Sequence, residues 1–281
     1  MAALENYLLV FVAGLITALA TGLGAIPFFV VDEVSDRWNV ILWGLASGIM
    51  LSASVFGLIS EGLAEASPWA WVVALGVNEG IARTVPLVVG LLAGVALVIV
   101  AHEVIEGQEV NPRRYEEADF RKLLLILGIL TVHSFPEGVA IGVSFADLDL
   151  EGGVAFLGFA VPLLAIFMTV AISIHNVPEG VAISIPLRSM GVSEWKMVWW
   201  AVFSSLPQPI GAVLAFGFVR VAREFLPVGF GFAAGAMVYL VLTEFIPEAL
   251  ELGEGLPNRG YGELAGGLVV GVLVMVPLAL L

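Results

Sequence analysis

The stretch HSFPEGVAIGVSF, residues 133–145, recurs as HNVPEGVAISIPL at residues 175–187. Each copy places a histidine four positions before a glutamate, His133 before Glu137 and His175 before Glu179. Residues four apart lie on one face of an α-helix, about one turn from each other. Each copy therefore predicts an imidazole and a carboxylate on one helix face, and two such faces turned toward each other would form a cation site.

The composition indicates the medium in which these motifs lie. The chain has 281 residues, of which 60% are hydrophobic and 13% charged, and its mean hydropathy is +1.04. One soluble core could not bury this much apolar surface, so we expect an all-α, polytopic membrane protein. The chain has no cysteine, which excludes disulfides and thiolate metal sites. Its net charge of −14 argues against nucleic acid as a partner.

The apolar residues fall into eight predicted spans within one transmembrane domain, residues 1–281. The first span lacks the basic region and cleavage site of a secretory signal, so we expect it to be retained. The spans cover about residues 4–31, 39–64, 84–104, 120–146, 152–187, 194–221, 228–250 and 262–281.

The basic residues predict the orientation of these spans. With the N-terminus outside, eight of them lie in inside loops, namely Arg37, Arg113, Arg114, Arg121, Lys122, Arg188, Lys196 and Arg259. Three lie outside, namely Arg83, Arg220 and Arg223. This division follows the positive-inside rule and predicts a multi-pass protein of the cell membrane with both termini outside.

Five of the 25 acidic residues remain within or near the spans, namely Glu61, Glu137, Glu179, Glu244 and Glu248. A charged group at mid-membrane costs about 2.5 to 3.5 kcal/mol on insertion scales, so such a group usually pairs, binds an ion or lines water. No lysine or arginine lies at mid-membrane beside these carboxylates as a partner. Protons or metal cations must then neutralise these carboxylates, which leaves proton relay and metal transport open.

A motif and a single glutamate, both near span ends, have alternative interpretations. His102, Glu103 and Glu106 resemble an incomplete HExxH metalloprotease motif, with a glutamate where the second histidine is required. We interpret them as a cytoplasmic helix end with some affinity for metal. Glu61 fits equally a vestibule residue and a solvated helix end.

The two repeats, together with FAAGAMVYLVLTEFIPEAL at residues 232–250, resemble the signature helices of the ZIP (Zrt/Irt-like) family of divalent-metal transporters. The resemblance covers essentially the whole chain. It implies a metal site at mid-membrane between the fourth and fifth helices. It also implies a 3+2+3 arrangement, in which helices one to three and six to eight form an inverted repeat.

The resemblance also implies roles for individual residues. It makes His133, Glu137 and Glu179 the core metal ligands, with His175 and Asn176 beside them. Met50 would be a further metal ligand, softer than the histidines and glutamates, although methionine is also a common core filler. Glu244 and Glu248 match an acidic pair that lies toward the cytoplasmic end, as exit or gating residues.

Two positions depart from the commoner pattern of the family. Ser134 stands where asparagine is frequent, and Gln208 stands where glutamate is frequent. Neither side chain supplies negative charge, so we expect a second metal position to be weakened.

Two functions follow from these observations. The first is a transporter that moves a divalent cation into the cytoplasm, with zinc as the preferred metal and iron, manganese and cadmium as alternatives. The second is an intramembrane metalloenzyme such as a metalloprotease, whose only candidate signature is incomplete. The metal is expected as transported substrate rather than as a catalytic cofactor. The expected surroundings are the lipid bilayer. The sequence leaves open whether the chain forms a homodimer.

Overall fold

The computed structural model describes residues 2–31, 33–106, 115–149 and 153–279, and these are mostly helical. The α-helices are α1 Ala2–Leu23, α2 Asp36–Ser52, α3 Ser60–Ala64, α4 Ala70–Ala74, α5 Glu79–Glu106, α6 Tyr115–Ser144, α7 Leu163–Ser189, α8 Glu194–Ser204, α9 Pro207–Val221, α10 Leu226–Leu240, α11 Ile246–Leu252 and α12 Tyr261–Ala279. Two π-helical segments, Ala53–Ile59 and Val241–Phe245, join α2 to α3 and α10 to α11. Three 3₁₀ turns lie at Ile26–Phe29, Arg223–Phe225 and Pro257–Gly260.

Within the part of the chain that the structure describes, seven helical segments are long and apolar enough to cross a membrane. They are Leu4–Leu23, Asp36–Ala64, Glu79–Ile105, Leu163–Ser189, Glu194–Val221, Arg223–Leu252 and Pro257–Pro277. Large apolar side chains stand outward on several of them; Leu8, Leu92 and Leu273 are each at least 60% exposed. Such surfaces belong in contact with lipid rather than water, so the chain is a multi-pass membrane protein.

The fourth predicted span, 120–146, corresponds to α6, which has 30 residues and begins somewhat earlier. Arg113 and Arg114, which enter the orientation argument, lie outside the described residues. The same holds for residue 152, at the start of the predicted fifth span, and for residues 280–281, at the end of the predicted eighth.

The predicted fifth span, 152–187, begins with a short element that is not helical. Strands β1, Val154–Phe156, and β2, Phe159–Val161, pair as an antiparallel hairpin. The turn residues Leu157 and Gly158 both have positive φ, as tight hairpin turns require. Pro162 then occupies the N-cap of α7, because proline fits the start of a helix better than its interior.

The predicted sixth span, 194–221, is broken at its centre. Helix α8 ends at Ser204, and α9 begins at Pro207, whose missing N–H would be unpaired at a helix start in any case. The break places Gln208 in the first turn of α9, in the middle of the span. There it lies against α6, where a carbon on Gly138 would overlap the carbonyl of Gln208.

The spans pack in four close pairs, α1 with α7, α6 with α9, α2 with α12 and α5 with α10. Glycines allow the backbones to approach in each pair. A side chain at Gly94 of α5 would overlap the Phe232 carbonyl of α10, and one at Gly180 of α7 would overlap the Thr21 carbonyl of α1. Small residues at helix contacts are a general device of membrane proteins, because close backbones gain van der Waals contact.

Candidate metal site

The two repeats lie on α6 and α7, which pack against each other with α1 and α9 on their flanks. Ligand atoms of Glu137, His175 and Glu179 all lie within 4.8 Å of one another. Glu137 and His175 are completely buried, and Glu179 is 3% exposed. The helices thus bring two carboxylates and one imidazole together in the interior of the bundle.

The ring of His175 has a defined orientation. Its Nδ1 lies 3.2 Å from the Ala171 carbonyl oxygen, and because a carbonyl only accepts, Nδ1 carries a proton. In a neutral ring Nε2 is then an acceptor, and it faces Oε1 of Glu137 at 3.3 Å. Two acceptors at this separation are compatible when a cation, either a proton or a metal ion, lies between them.

Two buried oxygens near this group lack a hydrogen-bond partner. They are Oε1 of Glu179 and Oδ1 of Asn176. A buried acceptor without a donor costs free energy, so such atoms in a native fold require an explanation. Carboxylate and amide oxygens beside an imidazole nitrogen are a donor set that divalent metals use. The residues present therefore fit a bound cation.

A line of side-chain amides supports the opposite face of Glu137. Asn176 Nδ2 donates to the Thr17 carbonyl oxygen at 2.8 Å and to Gln208 Oε1 at 3.1 Å. Gln208 Nε2 donates in turn to Oε2 of Glu137. The line connects α1, α7, α9 and α6, and all of its side chains are buried.

His133 lies outside the group formed by Glu137, His175 and Glu179. Its Nε2 is 3.0 Å from Nε2 of His102 on α5, and Nδ1 of His102 is 3.4 Å from Oε1 of Glu244. The repeat spacing places His133 one turn before Glu137, but the His133 ring faces α5. Neighbouring Ser134 is also buried.

The remaining candidates lie in different surroundings. Met50 is fully buried in the core of α2, Glu103 and Glu248 are exposed, and Glu61 is half-buried. Glu61 and Asp147 line a cavity of about 240 Å³, which also reaches Ser144. Ser144 is seven residues beyond Glu137 on α6, about 10 Å along the helix axis. This cavity and the His102 group thus lie on opposite sides of the buried carboxylates along α6.

Sequence reasoning missed two features of the site. The carbonyl of Thr17 on α1 anchors the amide line, and His102 contacts His133 directly. A main-chain carbonyl has no sequence signature. The pairing of His102 with His133 had a weak signal, since both are histidines near acidic residues within apolar sequence.

Comparisons with known proteins identify the family of this chain. A family model described as "ZIP Zinc transporter" matches residues 101–279. The zinc transporter ZupT of Corynebacterium aurimucosum is 31% identical over 92% of this chain and 93% of that protein. The zinc transporter GufA of Myxococcus xanthus is 31% identical over 85% of this chain and 87% of its own.

A putative zinc transporter of Arabidopsis thaliana is 38% identical over 86% of this chain, which spans 34% of that longer protein. The chain also spans 43% of the zinc transporter ZIP11 of Xenopus tropicalis, at 39% identity. The bacterial matches extend over nearly the whole of both proteins, and the family model covers more than half of the chain. This protein belongs to the ZIP family of zinc transporters.

Proposed function

We propose that this protein carries a divalent cation, zinc, across the cell membrane into the cytoplasm, and that the ion binds Glu137, His175 and Glu179 between α6 and α7. The observation that carries the proposal is the burial of two carboxylates within one ligand-sized group. Residues 123–187 contain no lysine or arginine that could offset them. A dication offsets both charges.

Zinc fits this group chemically. Zinc binds imidazole nitrogens and carboxylate oxygens in proteins, and a buried site with two carboxylates balances its charge. The same donors accept iron, manganese and cadmium, so the donor set alone does not select the metal. The names of the relatives, all zinc transporters, favour zinc.

The arrangement of the spans supports eight crossings in a 3+2+3 inverted repeat within a single domain, residues 1–281. With α6 as the fourth span, the close pairs are first with fifth, sixth with fourth, second with eighth and seventh with third. If span one is exchanged with span six, two with seven, three with eight and four with five, each of these close pairs is converted into another of them. The two π-helical segments follow the same exchange, since they lie in the second and seventh spans. Such repeats are common in transporters that hold substrate at their centre.

The path of the ion runs from the cavity at Glu61 and Asp147, through the buried group, to His133, His102 and Glu244. With both termini outside, as the positive-inside rule favours, the cavity faces outward and Glu244 faces the cytoplasm. Ser134 on the fourth span and Met50 on the second span lie beside this path. Glu248 lies one turn beyond Glu244, at the cytoplasmic mouth.

The metalloenzyme alternative has no support. His102 contacts His133 and Glu244, whereas Glu103 is exposed on α5, so these two residues of the incomplete motif do not meet at one site. The relatives carry names of transporters. We therefore assign the metal as substrate and no catalytic residue.

Zinc flux into sealed liposomes that contain the purified full chain tests the proposal. The test variant is Glu137→Gln, which keeps the shape of the side chain but removes its charge. The matched control is Glu103→Gln, the same change at an exposed position. We expect the control to transport zinc normally and Glu137→Gln to lose nearly all flux. Equal flux in the two variants, or none in the unmodified protein, would reject the assignment.

A further inference from the structure

The amide line that ends at Glu137 has only one consistent direction. The Thr17 carbonyl at one end and the Glu137 carboxylate at the other can only accept hydrogen bonds. Asn176 must therefore turn its nitrogen to Thr17, and the same nitrogen donates to the oxygen of Gln208. Gln208 is left with its nitrogen toward Glu137. The two acceptors at the ends of the line, the Thr17 carbonyl and the Glu137 carboxylate, thus fix the orientation of both the Asn176 and the Gln208 amide.

Glutamine is the residue type that satisfies this position without a further cation. A glutamate at 208 could accept from Asn176, but its second oxygen would face Oε2 of Glu137. Two buried carboxylate oxygens in contact must share a proton or a cation, because their charges repel in a medium of low dielectric. The N–H of Gln208 occupies the place where that cation would bind.

The two oxygens of Glu137 consequently differ. Oε2 receives the hydrogen bond from Gln208, whereas Oε1 faces Nε2 of His175. The unpaired Oε1 of Glu179 belongs to the same group as His175. Among the described residues, Gln208 donates to the Oε2 side of Glu137, which leaves the Oε1 side for a metal ion, and the amide line keeps that side turned toward His175.

We propose that Gln208 is a positioning and specificity-determining residue that limits the buried site to one bound dication. Its amide N–H donates a hydrogen bond to Oε2 of Glu137. Asn176, which also donates to the Thr17 carbonyl oxygen, holds that amide in place. This inference rests on the proposed function, because it concerns the same buried group. It adds what that function leaves open, namely the number of ions and the side chain that sets it.

The test measures how many zinc ions the purified full chain binds, together with their affinity. Gln208→Glu is titrated with zinc at about pH 8, where protons compete least for carboxylates and imidazole. The matched control is Asn78→Asp, which adds the same charge at an exposed position and keeps the oxygen that accepts from the Gly80 N–H. We expect Gln208→Glu to bind one zinc ion more than the unmodified protein and Asn78→Asp to bind no more.

Anomalous diffraction locates the added ion. In Gln208→Glu it should lie within about 4 Å of the first, the spacing of paired-metal sites. Two fully occupied ions at that spacing in the unmodified protein would overturn the proposal, and so would an unchanged stoichiometry in Gln208→Glu. Either result is compatible with normal zinc flux, so failure of this inference is distinct from failure of the transport function.

Gln208→Met tests the positioning role separately, since it fills similar space without a donor. We expect this variant still to bind one zinc ion, with an affinity about tenfold weaker, because Glu137 loses a hydrogen bond to its charged form. The thermal midpoint of unfolding serves as the structural readout. Unchanged affinity would show that the amide does not position Glu137.

Discussion

The Nε2 atoms of His102 and His133 lie 3.0 Å apart and join α5 to α6. On its other side, Nδ1 of His102 lies 3.4 Å from Oε1 of Glu244. Three side chains, two imidazoles and a carboxylate from three elements, thus form a line that begins one helical turn from Glu137. In the proposed path, an ion that leaves the buried carboxylates meets these residues next.

The first prediction concerns this line. His102→Ala should slow zinc flux about tenfold, the lower end of what loss of a supporting partner costs at metal sites. Zinc affinity of the buried group should change by no more than about twofold, since separate sites act nearly independently. Liposome flux and equilibrium dialysis measure the two quantities. Equal losses of flux and affinity would place His102 within the binding group instead.

The second prediction orders the residues of the buried group. Glu179→Gln removes one of the two charges that offset the dication, so zinc binding and flux should be nearly abolished. His175→Ala removes a neutral ligand and leaves both charges, so binding should be weakened and flux retained in part. Calorimetric titration of both variants checks the order. Stronger impairment in His175→Ala than in Glu179→Gln would contradict the charge argument.

The third prediction concerns helix packing. A carbon added at Gly94 of α5 overlaps the Phe232 carbonyl, so Gly94→Ala should destabilise the fold by about 1–3 kcal/mol, as overpacking typically does. At Gly266 of α12 an added carbon meets no atom within 4 Å. Gly266→Ala should be neutral or stabilise by up to about 1 kcal/mol, the difference in helix propensity.

Denaturant unfolding of the two glycine variants in the same detergent measures this difference. The pair is matched because both residues lie inside long helices and receive the same substitution. If Gly94→Ala and Gly266→Ala unfold alike, the close contact between α5 and α10 does not limit stability.

The fourth prediction concerns the outer cavity. Arg223 forms ion pairs with Asp147 and with Glu65, and Asp147 lines the cavity together with Glu61. Arg223→Gln leaves these acids without a cation, so cations should accumulate at the mouth and the apparent KM for zinc should fall. The effect should vanish at about 1 M salt, where the Debye length is about 3 Å.

Flux at several zinc concentrations, at low and at high salt, measures the apparent KM of Arg223→Gln. The control is Arg83→Gln, since Arg83 pairs with Glu79 four residues away in the same helix. A raised KM in Arg223→Gln, or the same change in Arg83→Gln, would show that Arg223 does not balance charge at the cavity.

The sequence by itself determined the medium, the helical class and the two motifs. A composition of 60% hydrophobic residues requires a bilayer, and apolar runs of about 20 residues predict the spans. The motifs were readable because helix periodicity is a local property, so a histidine four residues before a glutamate shares its face in any fold. The structure has helices at both motifs, on α6 and α7, and prolines mark the starts of α7 and α9.

Only the tertiary structure decided which of these faces meet. His133 and His175 have equivalent positions in their repeats, yet His175 lies beside Glu137 while His133 contacts His102. The position of Gln208 beside Glu137 depends on the break before α9 and on the approach of its backbone to Gly138. Periodicity fixes direction around one helix axis, whereas contacts between helices depend on their rotation, tilt and separation, which close backbone packing across the whole bundle determines.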